Sequence, residues 1–515
     1  MSDQFDYIIA GGGAAGCVIA ARLLEQPDVT VLLLEAGGMD SRADLQAVDV
    51  PTVTSLWGSE QVCWQYRTVP QPACHGREIP IAQGKVIGGG TSVNAMIYVR
   101  GNRRDYDHWN LPGWGYRDIL PYFKRAESYT GGEPGYRGQD GPLAVSGLSS
   151  PSEASIAFVQ AAKELGFRAD EFDYNGEQQE GGAFFYQSTR TGDDRRCSTA
   201  TAYLHPVLRH PRLTVRTGAR VARVVLNGQR AVGVEYAQDG PAVAAGAASE
   251  VILCCGTFAT PQVLMLSGIG SAAQLRAHGL GVVADLPGVG RNLQDHLLFG
   301  VGWECNAAQP PPELLAEAGL FTHSRAGSEA ASPDLQFFFG PVQFLAEQYQ
   351  TNGPGFTVAP ILIQPRSRGE VTLRSADPRD LPVIDPHYLE ASQDADALVA
   401  GIEIARELAH ASAFDGLRGR ELAPGTAVSS RAGLEDYVRE QASTVWHPAG
   451  TCRMGNGPDA VVDAQLRVHG VEALRVADAS VMPSITSGNT QAAVIAIAER
   501  AADLILAAQA GGTSS

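Results

Sequence analysis

The sequence predicts an α/β protein with more than one domain, and three observations support that fold class. Residues 5–10, 17–24 and 29–34 have the patterns of strand, helix and strand, which is the opening of a βαβ unit. Apolar and β-branched runs at 333–341 and 355–373 predict strands of a second sheet. The chain has 515 residues, more than one ordinary hydrophobic core accommodates.

Several further segments have a clear periodicity. Residues 394–408 and 431–441 have the amphipathic pattern of helices, and 490–508 is an apolar helical run. Alternating segments within 213–236 predict hairpin strands, and 250–254 predicts a buried strand.

Three stretches lack such a pattern. Residues 51–90 are rich in Gly, Pro and polar residues and predict an irregular, extended covering. Residues 240–249, rich in Ala and Gly, predict a surface hairpin tip. Residues 307–332 predict a variable loop or a short helix.

The composition is that of a soluble globular protein, with 44% hydrophobic and 18% charged residues. The net charge of −17 disfavours nucleic acid and anionic membranes as partners, because both select basic surfaces. We see no signal peptide and no apolar stretch long enough to span a bilayer. The sequence therefore predicts a cytoplasmic protein without membrane insertion.

The eight cysteines form no C-x-x-C pair and no Cys/His metal pattern, so we predict reduced thiols and no metal site. A disulfide between Cys63 and Cys74 remains open at this point.

A complete G-x-G-x-x-G motif, residues 11–16, lies between the first strand and the first helix. Glycines here permit a tight turn and let backbone N–H groups approach a pyrophosphate at a helix N-terminus. Glu35 ends the second strand, where an acid can bind a ribose hydroxyl. The motif predicts one dinucleotide, either FAD or NAD. A similar run at 268–273 follows a helix instead of a strand, so we interpret it as a helix C-terminal turn.

Five other motifs follow along the chain: G-K-V-I-G-G-G-T-S-V-N-A-M-I at 84–97, G-T-F-A-T-P at 256–261 leading to S-G-I-G at 267–270, L-P-G-V-G-R-N-L-Q-D-H at 286–296, W-H-P-A-G-T at 446–451, and V-A-D-A-S at 476–480 with G-N-T-Q-A at 488–492. In this order they resemble the glucose–methanol–choline (GMC) oxidoreductase family, and the resemblance spans nearly the whole chain.

The resemblance implies a Rossmann-like FAD-binding domain and a discontinuous substrate domain built on an antiparallel sheet flanked by helices. We place the FAD-binding domain at 1–150, 206–300 and 442–515, and the substrate-binding domain at 151–205 and 301–441. The implied FAD-binding residues are Gly11, Gly13, Ala14, Ala15, Gly16, Glu35, Ala36, Val86, Gly90, Asn94, Ala95, Met96, Ile97, Val221, Asp478, Ala479, Thr490, Gln491 and Ala492, and we expect Trp64 near the cofactor.

The chain departs from covalently flavinylated members of the family at one position. There a His can precede the family's Asn, whereas this chain has Val93. Non-covalent FAD is therefore expected.

His447 matches the family's active-site His, and Asn489 matches its second polar position. Loss of a hydroxyl proton during alcohol oxidation needs a base of near-neutral pKa, which suits imidazole. We assign His447 as the base and Asn489 as the group that orients the substrate oxygen, although Asn before a helix is also a good N-cap. His296 is interpreted as structural. Trp446, Phe337 and Phe339 are candidates for an apolar substrate wall, although strand aromatics are more often core.

The predicted function is FAD-dependent oxidation of a CH–OH group in an alcohol, sugar or polyol to a carbonyl. Choline and aromatic alcohols are included, and O₂ or another carrier accepts the electrons. Two alternatives stay open: a lyase or decarboxylase of the same fold, such as a hydroxynitrile lyase, and a flavin-binding protein without turnover.

Overall fold

The computed structural model describes residues 3–169, 172–238, 240–328 and 330–512. Its helices are α1 (Ala14–Leu23), α2 (Val50–Leu56), α3 (Arg103–His108), α4 (Tyr116–Ala126), α5 (Glu153–Glu164), α6 (His205–Val207), α7 (Gly256–Leu266), α8 (Ala272–Ala277), α9 (Ser392–His410), α10 (Arg431–Gln441) and α11 (Gln491–Gly512).

The strands are β1 (Gln4–Ala10), β2 (Val31–Leu34), β3 (Cys63–Arg67), β4 (Pro80–Gly84), β5 (Glu127–Ser128), β6 (Leu143–Ala144), β7 (Ala183–Phe185), β8 (Leu213–Arg216), β9 (Arg220–Asn227), β10 (Arg230–Ala237), β11 (Val243–Leu253), β12 (Ile269–Gly270), β13 (Ala284–Asp285), β14 (Arg291–Leu293), β15 (Leu297–Leu298), β16 (Val301–Cys305), β17 (Ala318–Thr322), β18 (Leu335–Gly340), β19 (Gly355–Leu362), β20 (Gly369–Thr372), β21 (Val383–Asp385), β22 (Arg418–Ala423), β23 (Ser443–Thr444) and β24 (Leu474–Val476).

The first sheet runs in the order β8-β2-β1-β11-β10-β9, with β24 also paired to β11. Strands β8, β2, β1, β11 and β24 are parallel, and β10 pairs antiparallel with both β9 and β11. All four residues of β2 are buried, as expected of a parallel strand covered on both faces. Helices α1 and α11 pack together, with Arg22 paired at 2.8 Å to the buried Glu499.

The second sheet is antiparallel throughout, in the order β22-β16-β19-β18-β17-β7, and β15 joins β19 to β23. Helices α5 and α9 pack on one face, and their apolar side chains form a core with that face. The opposite face carries the site described below. The predicted combination of a Rossmann-like sheet with an antiparallel sheet flanked by helices is confirmed.

The three stretches predicted to lack regular structure are corrected. Within 51–90, β3 and β4 form a paired hairpin after helix α2. Most of 240–249 belongs to the long strand β11, which lies between β1 and β10. A Cβ added to Gly233 of β10 would lie 2.0 Å from the oxygen of Ala245, so close strand packing explains small residues here. Within 307–332, β17 pairs with β18.

All eight cysteines are free thiols, so Cys63 and Cys74 form no disulfide. Within the four described ranges, no helix has both the length and the apolar character needed to cross a membrane.

Candidate active site

A cavity of about 600 Å³ lies between the two sheets. One end, which we call the glycine half, is at the carboxyl ends of β1, β2 and β11, where ligands of parallel α/β sheets bind. The other end, the sheet half, is bounded by the open face of the second sheet. The glycine half is lined by residues within 11–15, 34–36, 219–221 and 254–266. The sheet half is lined by residues within 298–300, 315–316, 338–346, 357–359 and 437–447. Residues within 89–97 and 478–491 line the cavity where the two halves meet.

The glycine-rich turn joins β1 to α1 at the floor of the cavity. Gly11 has a φ of +104°, and a Cβ there would lie 2.3 Å from the oxygen of Cys254. A Cβ on Gly16 would lie 1.9 Å from the oxygen of Gly11. At Gly13 the nearest protein atom to a Cβ would be 3.8 Å away, in Gly89. Glycine at 11 and 16 therefore closes the turn, and glycine at 13 keeps the cavity open.

Glu35 lies beside this turn and is nearly fully buried. Its carboxylate accepts the backbone N–H of Gly12 at 2.9 Å and that of Gly37 at 2.8 Å. Burial raises the pKa of Glu35 to about 7. The side chain thus holds the turn in shape and also lines the cavity, where it can accept a ribose hydroxyl.

The structure brings most of the predicted cofactor residues to the cavity wall. Three do not reach it: Gly16 lies against the oxygen of Gly11, Val86 packs in a small core with Leu45 and Leu56, and Ala492 is buried in α11. The predicted residues that line the cavity are Gly11, Gly13, Ala14, Ala15, Glu35, Ala36, Trp64, Gly90, Asn94, Ala95, Met96, Ile97, Val221, Asp478, Ala479, Thr490 and Gln491.

Asn94 is fixed by a buried cation that sequence reasoning missed. The Asn94 side-chain oxygen accepts from Arg196 at 2.8 Å and from the N–H of Met96 at 3.0 Å, and its amide donates to Gln491 at the start of α11. Arg196 is 1% exposed, and burial lowers its pKa to about 9. Arg196 and Asn94 are 102 residues apart in the sequence, so no local motif indicates this contact.

Asp478 connects the two strand ends nearest the centre of the cavity. One carboxylate oxygen accepts the N–H of Gly256 and the hydroxyl of Thr260, at 2.8 and 2.7 Å. The other accepts the N–H and hydroxyl of Ser480. The carboxylate therefore fixes the start of α7 against the segment after β24.

His447 and Asn489 meet at the boundary between the two halves, with 3.3 Å between His447 Nε2 and Asn489 Nδ2. The Asn489 oxygen accepts from Gln336 Nε2 at 3.3 Å, which turns the Asn489 N–H groups toward His447. His447 Nε2 then accepts and Nδ1 carries the proton. Because α11 begins at Gln491, Thr490 occupies the position before the helix and Asn489 is not its N-cap.

Burial lowers the pKa of His447 from 6.5 to about 4, below the near-neutral value expected of the base, so the imidazole is neutral near neutral pH. His447 Nδ1 lies 3.0 Å from Nδ1 of His296, which is fully buried and whose pKa burial also lowers. The structural interpretation of His296 is thereby sharpened, since this ring holds the orientation of His447.

Asp295 anchors the segment that carries His447. Its carboxylate accepts the backbone N–H of His296 and of His447, both at 2.9 Å. It also accepts the hydroxyls of Tyr388 and Thr444, both at 2.5 Å. Burial raises the pKa of Asp295 to about 6.

Phe337 and Phe339 do not line the cavity, and that expectation is wrong. Successive side chains of a strand alternate between faces. Phe337 and Phe339 point into the core beneath α5 and α9, where Phe339 stacks on Phe158 at 4.9 Å. Phe338 and Gln336 share the other face, so Phe338 lines the cavity in their place. Trp446 does line it, packed edge-to-face on Trp57 at 4.7 Å.

Several other lining residues were not predicted, including Trp57, Leu298, Arg220 and Phe258. Phe258 lies within the motif at 256–261, which is the sequence signal for it. Among the described residues, no cluster of His, Cys, Asp and Glu has the arrangement of a metal site.

Comparison with family models decides the family. The N-terminal model of the GMC oxidoreductases matches residues 5–298, and the C-terminal model matches residues 365–498. The chain belongs to the GMC oxidoreductase family. It is an FAD-dependent oxidoreductase of that family.

Two curated relatives and one solved structure illustrate the similarity of this GMC oxidoreductase to known proteins. Mitochondrial choline dehydrogenase of Mus musculus is 41% identical over 98% of this chain and 89% of its own length. Oxygen-dependent choline dehydrogenase of Brucella anthropi is 40% identical, over 98% and 96%. The crystal structure of pyridoxine 4-oxidase from Mesorbium loti aligns with a TM-score of 0.91 and 35% identity, over 97% of this chain and 98% of that one.

The cavity of this GMC oxidoreductase fits FAD. Gly13 and Gly90 both line it, yet a Cβ on Gly13 would lie 3.8 Å from the nearest protein atom and a Cβ on Gly90 would have none within 4 Å. The open space at these glycines is therefore available to a ligand. The turn at α1 would hold the pyrophosphate, Glu35 the adenosine ribose, and Asn94 with the start of α11 the flavin ring.

Proposed function

We propose that this GMC oxidoreductase oxidises a primary or secondary alcohol carbon to a carbonyl, with His447 as the base. The contact between His447 Nε2 and Asn489 Nδ2 supports this proposal most directly. A substrate hydroxyl that replaces this contact can donate to His447 Nε2 and accept from Asn489 Nδ2. The relatives named above act on choline and pyridoxine, which are both alcohols.

In this proposal His447 Nε2 removes the hydroxyl proton of the substrate. Asn489 donates to the substrate oxygen and keeps the carbon aligned as the C–H bond breaks. Gln336 fixes the Asn489 amide, and His296 and Asp295 fix the His447 ring and backbone. Bound FAD supplies the acceptor for the hydride.

A His447→Ala variant tests the base. Since a positioned general base contributes about 10²- to 10⁴-fold, kcat/KM for the best alcohol should fall by that factor. FAD content, measured from the flavin absorbance of the purified protein, should stay at the wild-type level. His108→Ala, at an exposed histidine of α3, is the matched control and should keep wild-type kcat/KM. Unchanged turnover in His447→Ala would rule out the proposed base.

The same assay separates the two alternatives. A lyase or decarboxylase of this fold, or a flavin-binding protein without turnover, would not transfer electrons from an alcohol to an added dye. Turnover measured with dye and with O₂ side by side also identifies the acceptor.

We further propose that FAD is held without a covalent bond at Val93, that the two domains divide as the sequence predicts, and that the protein is cytoplasmic. The Val93 side chain lines the cavity and offers no nucleophile. Eight free thiols are typical of a reducing compartment. If FAD is not covalently bound, acid precipitation should release the flavin into the supernatant. Limited proteolysis should cut the chain near the predicted domain boundaries. Cell fractionation should recover the protein with the cytosol.

A further inference from the structure

The sheet half of the cavity has a wall of unusually uniform chemistry. We define the sheet wall as the cavity-lining side chains from the open face of the second sheet and its flanking segments. Its members are Leu298, Phe299, Leu315, Ala316, Phe338, Phe344, Leu345, Ala346, Thr357, Ala359, Tyr437, Gln441, Ser443, Thr444 and Val445, with Trp57 and Trp446 beside His447. Most are apolar or aromatic.

Three hydroxyls of the sheet wall already donate within the protein. Thr357 donates to the oxygen of Val342 at 2.8 Å, Tyr437 to that of Gly300 at 2.6 Å, and Thr444 to Asp295 at 2.5 Å. A sugar or polyol needs a dense set of donors and acceptors around each hydroxyl. Gln441 and Ser443 alone supply too few, so the wall suits a substrate whose body is apolar.

The charges that line the cavity lie away from the sheet wall. Among the described lining residues, the carboxylates and cations are Glu35, Arg220 and Asp478, apart from the histidine itself. Glu35 holds the glycine turn, Arg220 lies over the ring of Trp64, and Asp478 fixes the start of α7. The sheet wall therefore has no carboxylate to pair with a substrate cation.

The two tryptophans do not make up for this lack. Trp57 and Trp446 pack with their ring planes at 71°, so the edge of one covers a face of the other. A cage for a quaternary ammonium needs several free ring faces around the charge. The rings of Phe299 and Tyr437 also pack edge-to-face on each other, and Phe338 packs edge-to-face with Tyr186. Burying a cation against apolar side chains without a counter-charge is strongly unfavourable.

We propose that the substrate is a neutral alcohol with an apolar body, aromatic or branched alkyl, and is neither a quaternary ammonium alcohol nor a sugar. This inference rests on the proposed alcohol oxidation at His447. The feature that carries it is the juxtaposition of an uncharged, largely apolar sheet wall with the His447–Asn489 pair.

The holoenzyme tests this with choline and 3,3-dimethylbutan-1-ol, which have the same shape and differ in the charge of one atom. We expect kcat/KM for the neutral compound to be at least about 100-fold higher, because only choline buries a charge. Benzyl alcohol should also be oxidised, and glucose should not. In flavin-replete His447→Ala, in which turnover is slowed, perturbation of the flavin absorbance on titration gives the order of binding and should agree.

Leu298 offers a matched pair of variants. It lies in β15 opposite Ser443 of β23, the strand that leads to His447, and it lines the cavity. Leu298→Glu should raise the ratio of kcat/KM for choline to kcat/KM for the neutral alcohol by about 10-fold or more, because it supplies a counter-charge. Leu298→Gln introduces a side chain of the same size as Glu without the charge, and this variant should keep the wild-type preference for the neutral alcohol.

The outcomes distinguish failure of this inference from failure of the proposed alcohol oxidation. Preference of the wild type for choline or glucose would overturn this inference and leave the proposed alcohol oxidation standing. No flavin reduction by any of the four compounds would count against the alcohol oxidation itself. A Leu298→Glu variant that binds flavin and keeps the wild-type preference would overturn the role of the sheet wall.

Discussion

The glycine half and the sheet half of the cavity are built in different ways. The glycine half is shaped by backbone: Gly11 and Gly16 close the turn because no side chain fits at either position. The sheet half is shaped by side chains that come from strands far apart in sequence, such as Leu298 and Phe338. A cofactor shared by a family can be recognised by local backbone, whereas a substrate is selected by side chains that the tertiary fold assembles.

The largest effect is expected in the glycine half, from Gly16→Ala. A Cβ there would lie 1.9 Å from the oxygen of Gly11, which is backbone and cannot move without opening the turn. Overpacking of this kind should cost about 3 kcal/mol in the free energy of unfolding, and the protein should be purified without flavin. Urea unfolding and the ratio of flavin to protein absorbance measure the two effects.

Two further glycines are the controls for that variant. Gly13→Ala has room against the protein and should fold normally, yet bind FAD more weakly because its methyl group enters the cavity. Gly38→Ala, with no atom within 4 Å of the added Cβ, should be wild type in both measurements. Equal stability of the alanine variants at 16 and 38 would contradict the account of the turn.

The sheet half is tested by two adjacent phenylalanines. Phe337→Ala removes a ring that is fully buried in the core and should cost about 3–5 kcal/mol in the free energy of unfolding. Phe338→Ala should cost far less stability and instead raise KM for an apolar alcohol, because its ring lines the cavity. Chemical denaturation and steady-state kinetics on both variants check this. The reverse pattern would mean that the strand presents the opposite face.

The smallest effect is a pH dependence at the boundary between the halves. Only neutral His447 accepts a proton, so kcat/KM should fall as the pH drops through its pKa. Burial lowers that pKa from 6.5 to about 4, so kcat/KM should be level near neutral pH and fall with a midpoint near 4. The Asp295→Asn variant, which removes the titrating carboxyl that accepts the backbone N–H of His447, should keep this midpoint if it retains flavin. A midpoint at or above 6.5 in both proteins would contradict the assignment.

The sequence predicted the turn and the acid of the glycine half, because their determinants are local. A tight turn, a helix start and an acid at the end of the next strand are all set by residues 11–35. The motif at 446–451 likewise gave His447. Its contacts with His296 and Asp295 join positions about 150 residues apart, so they depend on the tertiary fold.

The sheet half was predicted poorly for a physical reason. The run Phe337-Phe338-Phe339 is apolar at every position, so it shows no alternation that would tell the core face from the cavity face. The polar neighbour Gln336 held that information, since it shares a face with Phe338 and binds Asn489. The strand structure of 240–249 was missed for a similar reason. The small residues that allow close strand packing there have the composition of a turn.

The measurement that tests the central claim most directly is anaerobic reduction of the flavin by an alcohol in a stopped-flow instrument. The wild-type enzyme mixed with 3,3-dimethylbutan-1-ol should lose the absorbance of oxidised flavin in a single turnover. In flavin-replete His447→Ala, the rate should be lower by about 10²-fold or more. Equal rates in the two proteins, or no bleaching of the wild-type flavin by any alcohol, would contradict the account.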